Sequence, residues 1–307
     1  MGESTEIRER YDRAVERFVL KVKVDVNVLA VIVEGSVAWD KVWHKSDIDI
    51  TVIVRDQTLT TFEYSIDEDG IVLNAAITTR TQFMRRMNRT NGGFNSLYGL
   101  ARIVYTTDDT IQELLSEAKT IGQSDIGWCL MWQCSDLLFM LQKIEKWLTV
   151  KNDAMYAKLY ILKAAETVAA MVMIENGEPA TREALMRAEV LNPEIIDIVY
   201  RTPMRNDLNE RQLSETLEKM YEFLDRHIPA VAEPILEYMA DGEPRTGTMI
   251  VKNFKAGSPH MISKLMEYLV TKGIVGKLSQ TIRITPKGRQ VVEEIAYIKK
   301  GGGNHVG

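Results

Sequence analysis

The sequence predicts an α+β protein in which a mixed β-sheet with flanking helices precedes a long helical segment. Two short β-branched apolar runs, at residues 28–33 and 48–54, have the composition of buried strands rather than helices. After about residue 124 the apolar residues recur at helical spacing instead. The charge balance changes again near the C-terminus, where basic residues dominate.

These changes divide the chain into three predicted domains and a tail. At 307 residues the chain is too long for one ordinary hydrophobic core. The predicted parts are residues 1–122 with the sheet, residues 123–228 as an α-helical bundle, residues 229–300 as a small separate unit, and residues 301–307 as a flexible glycine-rich tail.

Local patterns place the elements of the first domain. Asp69-Gly70 lies between two apolar runs, which predicts a β-hairpin turn. The predicted elements are a helix at 5–20, strands at 28–33, 48–54, 62–66 and 71–77, a helix at 81–87, a strand at 101–105 and a helix at 108–118.

Composition predicts a soluble, cytoplasmic protein without membrane partners. Hydrophobic residues make up 45% of the chain and charged residues 26%, which is typical of globular proteins. No apolar stretch approaches the roughly 18 residues of a membrane span, and the charged N-terminus lacks the apolar core of a signal peptide. Cys129 and Cys134 are expected to be buried thiols in a reducing compartment. The four histidines show no zinc-site spacing.

The residues between the first two strands carry the chemistry. Gly35-Ser36 is expected in a loop, and Asp47 and Asp49 share one face at the start of the second strand. Two neighbouring carboxylates repel each other, and a divalent cation such as Mg²⁺ would compensate them. A glycine also lets the backbone approach a phosphate closely. The alternative interpretation is a surface loop with a solvated aspartate pair.

This stretch, GSVAWDKVWHKSDID with ten residues between Ser36 and Asp47, resembles the signature of the polymerase-β-type nucleotidyltransferase superfamily, and most of all its minimal and antibiotic-modifying members. The resemblance implies that Gly35 and Ser36 hold the triphosphate of an NTP such as ATP. It also implies that Asp47 and Asp49 are catalytic and bind two Mg²⁺ or Mn²⁺ ions. The implied reaction moves a nucleoside monophosphate to an acceptor hydroxyl on a small molecule such as an aminoglycoside, a protein or an RNA end, with release of pyrophosphate.

One position departs from the family pattern, in which a third carboxylate lies on a strand antiparallel to the Asp-x-Asp strand. Asn74 stands in that place, and an amide is a neutral ligand that cannot act as a base. Three interpretations follow: the domain binds nucleotide without turning it over, another base substitutes, or the alignment is wrong. Asp67 and Asp69 are nearby candidates, although a role in the hairpin turn is the favoured explanation for both.

Several cations are candidate phosphate ligands. Lys41, His44 and Lys45 lie in the spacer loop, and Lys45 is assigned to nucleotide binding. Arg80 and Arg85 lie on the predicted helix at 81–87, where simple exposure to solvent is the favoured explanation.

The second domain is expected to consist of helices at 124–148, 152–176, after residues 181 and 193, and at 208–227. In the family, a helical domain in this position often receives the acceptor. The polar residues Arg205, Asp207 and Glu210 would line a cleft or, in the favoured interpretation, belong to a helix start and its exposed face.

The third domain resembles a winged helix-turn-helix. The predicted elements are helices at 232–239 and 258–272, strands at 274–278 and 281–284 around Ser279-Gln280, and a helix at 286–298. Residues 246–300 hold ten Lys/Arg and three Asp/Glu, a net charge of +7, which favours contact with DNA or RNA. Outward-facing residues of the predicted recognition helix would be His260, Ser263, Lys264 and Glu267. Winged helices also serve in dimerisation and substrate docking.

Two functions remain open from the sequence. The first is the Mg²⁺-dependent nucleotidyltransferase, which the intact aspartate pair favours. The second is a non-catalytic, nucleotide-sensing regulator that binds DNA through its winged helix, which Asn74 favours.

Overall fold

The structure is a computed structural model. It describes residues 2–38, 42–59, 62–87, 100–181, 183–254, 258–285 and 287–300, with only the backbone of residues 2–4, 36 and 259. The chain divides into two compact units, of which the first extends to Thr120 and the second begins at Ile121.

The first unit contains the mixed sheet that the sequence predicts. Its elements are α1 (Gly2–Val22), β1 (Val28–Glu34), α2 (Gly35–Ala38), β2 (Ile48–Val54), β3 (Glu63–Glu68), β4 (Ile71–Thr79), α3 (Arg80–Met87), β5 (Arg102–Thr106) and α4 (Asp109–Glu117). The five strands lie in the order β3-β4-β2-β1-β5. Every adjacent pair is antiparallel except β2 and β4, which run parallel.

Both faces of this sheet are covered, which explains the nearly continuous apolar runs of its central strands. On one face Val31, Val33, Ile48 and Ile50 pack with the apolar side of α1. On the other face Ile53 and its neighbours pack with buried residues of α3 and α4. Because side chains alternate along a strand, one face of β2 is entirely apolar, whereas the other face carries polar residues at the N-terminal end of the strand.

The second unit is mainly helical and ends in a small antiparallel sheet. A 3₁₀ turn at Gln123–Asp125 precedes α5 (Ile126–Thr149), α6 (Ala154–Glu175), α7 (Ala184–Leu191), α8 (Pro193–Ile196), a π-helical segment at Asp197–Arg201, α9 (Thr202–Arg205), α10 (Glu210–Tyr238), β6 (Arg245–Thr246), α11 (Gly247–Phe254), α12 (Pro259–Thr271), β7 (Val275–Arg283) and β8 (Val291–Lys299). The strand order in this sheet is β6-β8-β7.

The helices predicted at 208–227 and 232–239 form one continuous helix, α10, with Pro229 and Pro234 inside it. Proline removes a helical N–H, so the carbonyl of Ala230, four residues before Pro234, loses its usual donor. Gly127 of α5 lies against this carbonyl, and a Cβ at Gly127 would come within 2.1 Å of the oxygen. Close helix packing at a glycine thus accommodates the interrupted helix. The predicted boundary at residue 228 falls inside α10, and the division into three domains stays a prediction.

The C-terminal segment differs from the sequence-based prediction in two places. Residues 275–283 form one continuous strand, so no turn occurs at Ser279-Gln280. Residues 291–299 form a strand, not the predicted helix, and pair with β7 from Val275–Lys299 to Arg283–Val291. The apolar spacing of this stretch fits a helix as well as a strand, and cross-strand pairing decides between them. Pro286, the first residue of the predicted helix, lies outside the described residues.

Helix ends follow the predicted signals in most places. Ser258 caps α12, Asp153 caps α6, and Gly273 and Gly177 follow helix ends with positive φ. Asp125, the residue before α5, makes no side-chain cap hydrogen bond, and its backbone already lies in the helical region at the end of the 3₁₀ turn.

One apolar core runs through the second unit, from α5 to β8. The four apolar residues predicted to form one stripe on α12, Ile262, Leu265, Met266 and Leu269, are all buried in it. Cys129 and Cys134 are free and buried, as predicted. Among the described helices, none combines the length and the hydropathy that a membrane span requires.

Candidate functional site

The aspartate pair lies at the start of β2, on the sheet face predicted from strand alternation. Asn74 of β4 stands beside Asp49 in the parallel register of the two strands. Its side-chain Nδ2 donates to Oδ2 of Asp47 at 2.6 Å and to Oδ1 of Asp49 at 3.5 Å. Asn74 therefore occupies the position expected for the third acid, but the strand that carries it is parallel to β2, not antiparallel as predicted.

Gly35 lies directly beside the aspartate pair. The residue has a φ of 68° and begins the short helix α2, so the predicted loop at Gly35-Ser36 is in fact a tight strand-to-helix turn. A Cβ at this position would lie 2.8 Å from Oδ2 of Asp49. Only glycine combines this backbone conformation with space for the carboxylate. The side chain of Ser36 lies outside the described residues.

A third carboxylate, which the sequence did not predict, lies at the end of β1. Glu34 pairs with Asp49 in the sheet register, and Thr51 Oγ1 donates to its Oε1 at 2.5 Å. Burial raises the pKa of the Glu34 carboxyl, the Thr51 hydrogen bond lowers it, and the charge of Asp49 raises it. The sequence signal for Glu34 is its position between a buried apolar strand and a glycine turn.

Tyr11 of α1 fixes the loop that precedes Asp47. Its hydroxyl lies 2.6 Å from the carbonyl oxygen of Ser46 and 3.2 Å from that of Trp43, and it can donate to either. Ser46 Oγ in turn accepts from the Trp43 amide at 3.2 Å. Burial raises the pKa of the Tyr11 hydroxyl, which stays protonated and able to donate. The sequence placed Tyr11 in the helix core but gave no signal for this contact.

The predicted cations of the spacer loop do not converge on the aspartate pair in the described contacts. Lys45 is exposed, and its ammonium lies 5.7 Å from the centre of the Trp43 ring. His44 is also exposed and packs edge-on against Trp43 at 5.0 Å between ring centres. Lys41 lies outside the described residues. The assignment of Lys45 to nucleotide binding stays a prediction.

Asp67 and Asp69 have the turn roles that the sequence favours. Asp67 accepts from the amide of Gly70 at 3.3 Å, and Asp69 has a φ of 55° and pairs with Arg17. Arg10 also donates to the carbonyl oxygen of Asp69 at 3.2 Å. Neither carboxylate has a described contact with Asp47 or Asp49.

The arginines of α3 differ in their surroundings. Arg80 is engaged by Asp108 at 2.5 Å and by Thr110 at 2.9 Å, so its role is structural. Arg85 is exposed, as predicted. Arg86, which the sequence did not single out as a site residue, is also exposed, and its charge opposes the rise that burial causes in the pKa of Glu34.

The donors at this end of the sheet fit a magnesium–phosphate site. Mg²⁺ is usually held by one or two carboxylates together with substrate phosphates, rather than by a full protein cage. Asp47 and Asp49 supply two carboxylates next to a turn without a Cβ. Within the described part of the chain, no group of three His, Cys, Asp or Glu side chains is arranged to hold a metal ion.

The stretch that holds Arg205, Asp207 and Glu210 runs from the end of α9 to the start of α10. Asn209 caps α10 in a reciprocal capping box with Gln212, which confirms the helix-start interpretation of this stretch. Asp207 pairs with Lys158 at 3.7 Å. Glu267 was predicted to face outward on α12, but it accepts from the Tyr297 hydroxyl at 3.2 Å and pairs with Lys277 at 2.7 Å.

In sequence, no family model and no curated protein matches the chain. Its structure is similar to that of a nucleotidyltransferase-like protein from Exiguobacterium sibiricum, with a TM-score of 0.66 and 13% identity over 95% of this chain and all of the other. A spectinomycin adenyltransferase from Enterococcus faecialis, crystallised with ATP and spectinomycin, matches at 14% identity over 71% of this chain and 99% of its own, but its TM-score of 0.33 supports no conclusion. Over 95% of its length, the chain has the fold of a nucleotidyltransferase-like protein.

Proposed function

We propose that this protein is a Mg²⁺-dependent nucleotidyltransferase that moves a nucleoside monophosphate from an NTP to an acceptor hydroxyl. The observation that carries the proposal is the convergence of Asp47, Asp49 and the Gly35 turn at one end of the mixed sheet. Adjacent carboxylates beside a turn with a positive φ suit a cation and the phosphates that accompany it.

In this proposal, each residue of the site has a separate positioning role. The Gly35-Ser36 turn approaches the triphosphate with backbone N–H groups at the start of α2. Asp47 and Asp49 hold the magnesium ion, for which Mn²⁺ can substitute. The bound cation supplies charge neutralisation at the transferring phosphoryl group, where positioning and electrostatics provide most of the catalysis. Tyr11 holds the loop that carries Asp47 in place through the carbonyl oxygen of Ser46.

Three parts of this proposal rest on the sequence resemblance. They are ATP as the NTP, the acceptor class (a small molecule, a protein or an RNA end) and acceptor binding by residues 123–228. A small-molecule acceptor such as an aminoglycoside is the first to test, because the spacing of GSVAWDKVWHKSDID is similar to that of antibiotic-modifying members.

Pyrophosphate release tests the proposal directly. The full-length protein is incubated with Mg²⁺, each labelled NTP and panels of candidate acceptors. Asp49→Ala should lower the rate by at least about 10³-fold, since it removes a metal carboxylate. Asp67→Ala is the matched control: it removes an exposed carboxylate that contacts only its own turn, and it should leave the rate within about twofold. Equal activity of Asp49→Ala and wild type would refute the site assignment.

The second candidate function is a nucleotide-sensing regulator that binds DNA. Two features support it: the helices α11 and α12 are followed by the hairpin β7–β8, as in a winged helix, and the exposed cations Arg283, Lys287 and Arg289 lie at the end of this hairpin. Asn74 in place of an acid also favours binding without turnover.

Salt-dependent binding of duplex DNA tests this candidate. The affinity of the full chain should fall steeply between 50 and 200 mM salt, roughly in proportion to the number of phosphate contacts. Replacing Arg283, Lys287 and Arg289 by Ala should reduce that slope. Replacing three exposed lysines outside residues 246–300, Lys23, Lys119 and Lys219, is the charge-matched control. No measurable binding at low salt would exclude the regulator.

A further inference from the structure

We propose that Asn74 makes this a one-cation site, in which the side-chain amide bridges Asp47 and Asp49 in place of a second metal ion. The inference rests on the proposed function and departs from the two ions that the family resemblance implies. It is argued from the orientation of the amide and from the carboxylate oxygens that the amide leaves free.

The orientation of the amide is fixed from both ends. Nδ2 faces Oδ2 of Asp47 at 2.6 Å and Oδ1 of Asp49 at 3.5 Å, and Oδ1 of Asn74 lies 3.5 Å from the hydroxyl oxygen of Ser65, which donates to it. A rotated amide would place its oxygen 2.6 Å from a carboxylate oxygen, which is repulsive. It would also lose the donor from Ser65. The N–H₂ group therefore points between the two carboxylates.

This N–H₂ group reduces the repulsion between the two carboxylates, as a bound cation would. It is a donor with two hydrogens, and each carboxylate accepts at the atom that faces it. A second divalent ion between the carboxylates would have to displace this donor and would gain only a neutral amide oxygen in exchange. Asp47 and Asp49 consequently stay together without metal, at the cost of one cation position.

In the described contacts, the oxygen of Asp49 that does not face Asn74 lies on the Gly35 side. Oδ1 of Asp49 faces Asn74, whereas Oδ2 is the atom that lies 2.8 Å from the position of a Cβ on Gly35. The cation position that is left is therefore next to the Gly35 turn, where the proposed triphosphate lies. The single ion is the one that accompanies the nucleotide.

Counting bound Mn²⁺ tests the inference. With the full chain saturated by a non-hydrolysable ATP analogue, electron paramagnetic resonance should count one tightly bound Mn²⁺ per complex for wild type and two for Asn74→Asp. Two tightly bound ions in wild type, or one in both proteins, would overturn the proposal.

Thermal unfolding without nucleotide gives a readout that is independent of activity. In EDTA, Asn74→Ala should lower the midpoint by several degrees, because two carboxylates then face each other without a donor. Asn74→Asp should lower it further, and Mn²⁺ should raise the midpoint of Asn74→Asp more than that of Asn74→Ala, because only Asn74→Asp adds a third carboxylate to Asp47 and Asp49. Unchanged midpoints in EDTA for both variants would also overturn the proposal.

Ser65→Ala is the matched control, since it removes only the outer donor to the amide and keeps both aspartates bridged. It should leave the Mn²⁺ count at one. Failure of the proposed function has a separate signature: wild type would then bind no ATP analogue, while the EDTA measurements would still report whether Asn74 bridges the pair.

Discussion

The two units of this protein use their polar side chains in different ways. In the first unit, strand register gathers Glu34, Asp49 and Asn74 at one end of a sheet, where carboxylates face one another. In the second unit, polar pairs tie helices and strands together, as where Asp225 accepts from Tyr268 and Lys272 at 2.7 Å each. Like charges brought together are costly to folding, whereas complementary pairs are not. This difference marks the first unit as the place where chemistry is expected.

The contrast predicts that substitutions will separate stability from function according to the unit in which they lie. Three substitutions are expected to act with decreasing effect, in the order Gly127→Ala, Gly35→Ala and Tyr11→Phe, and each has a control within the same unit. The reactivity of the two cysteines is a fourth prediction.

Gly127→Ala should destabilise the second unit by roughly 3 kcal/mol, the upper part of the usual range for overpacking, because the new Cβ would meet the carbonyl oxygen of Ala230 at 2.1 Å. Hydrogen exchange resolved along the chain would localise the loss to residues after 121. The control Gly122→Ala meets its nearest neighbour at 3.5 Å and should change little. A loss confined to the first unit would contradict the division into two units.

Gly35→Ala should destabilise the first unit by about 1–2 kcal/mol, since its φ of 68° is unfavourable for alanine. It should also abolish binding of an ATP analogue, because the Cβ would displace the Asp49 carboxylate. Gly70→Ala is the control, because Gly70 has a similar φ of 74° and lies in the turn between β3 and β4, away from Asp47 and Asp49. If calorimetry shows that both variants lose nucleotide binding, reduced stability alone would explain the loss in Gly35→Ala.

Tyr11→Phe should lower the free energy of unfolding by about 1 kcal/mol, the usual value of a hydrogen bond. Its effect on the free energy of metal-dependent nucleotide binding should be larger than this. The reason is that the loop before Asp47 loses its contact at Ser46. Tyr64→Phe removes an exposed hydroxyl from β3 and serves as the control. Equal binding by Tyr11→Phe and wild type would show that the loop is held by other contacts.

The two cysteines of the second unit should not react with thiol reagents in the folded protein at pH 8. Burial raises the pKa of Cys129 to about 11 and that of Cys134 still further, so almost no thiolate forms. The raised pKa values stabilise the folded state below about pH 9, and this contribution is lost as the pH rises through the folded pKa. Mass spectrometry after labelling would detect modification only upon unfolding; rapid native labelling would contradict the burial.

The sequence predicts the first unit better than the second for a physical reason. Buried β-branched runs identify β1 and β2 locally, and strand alternation alone places Asp47 and Asp49 on one face. Register is a long-range property, so neither the parallel pairing of β2 with β4 nor the approach of Glu34 to Asp49 could be predicted from local patterns.

In the second unit, tertiary contacts override local signals. The sequence predicts two helices at 208–227 and 232–239, yet α10 continues through Pro229 and Pro234 although each proline removes a backbone donor. The stretch from Val291 to Lys299 has apolar spacing that suits either state, and pairing with β7 makes it a strand. The contacts of Glu267 could not be predicted from local patterns, because its partners Tyr297 and Lys277 lie later in the chain, on β8 and β7.

The contact between Gly127 and Ala230 has a consequence for how this sequence can change over time. A side chain at position 127 becomes acceptable only if α10 moves away from α5, because the new Cβ would meet a backbone oxygen, which cannot rotate aside as a flexible side chain can. Related sequences are therefore expected to keep glycine at position 127 wherever these two helices pack this closely.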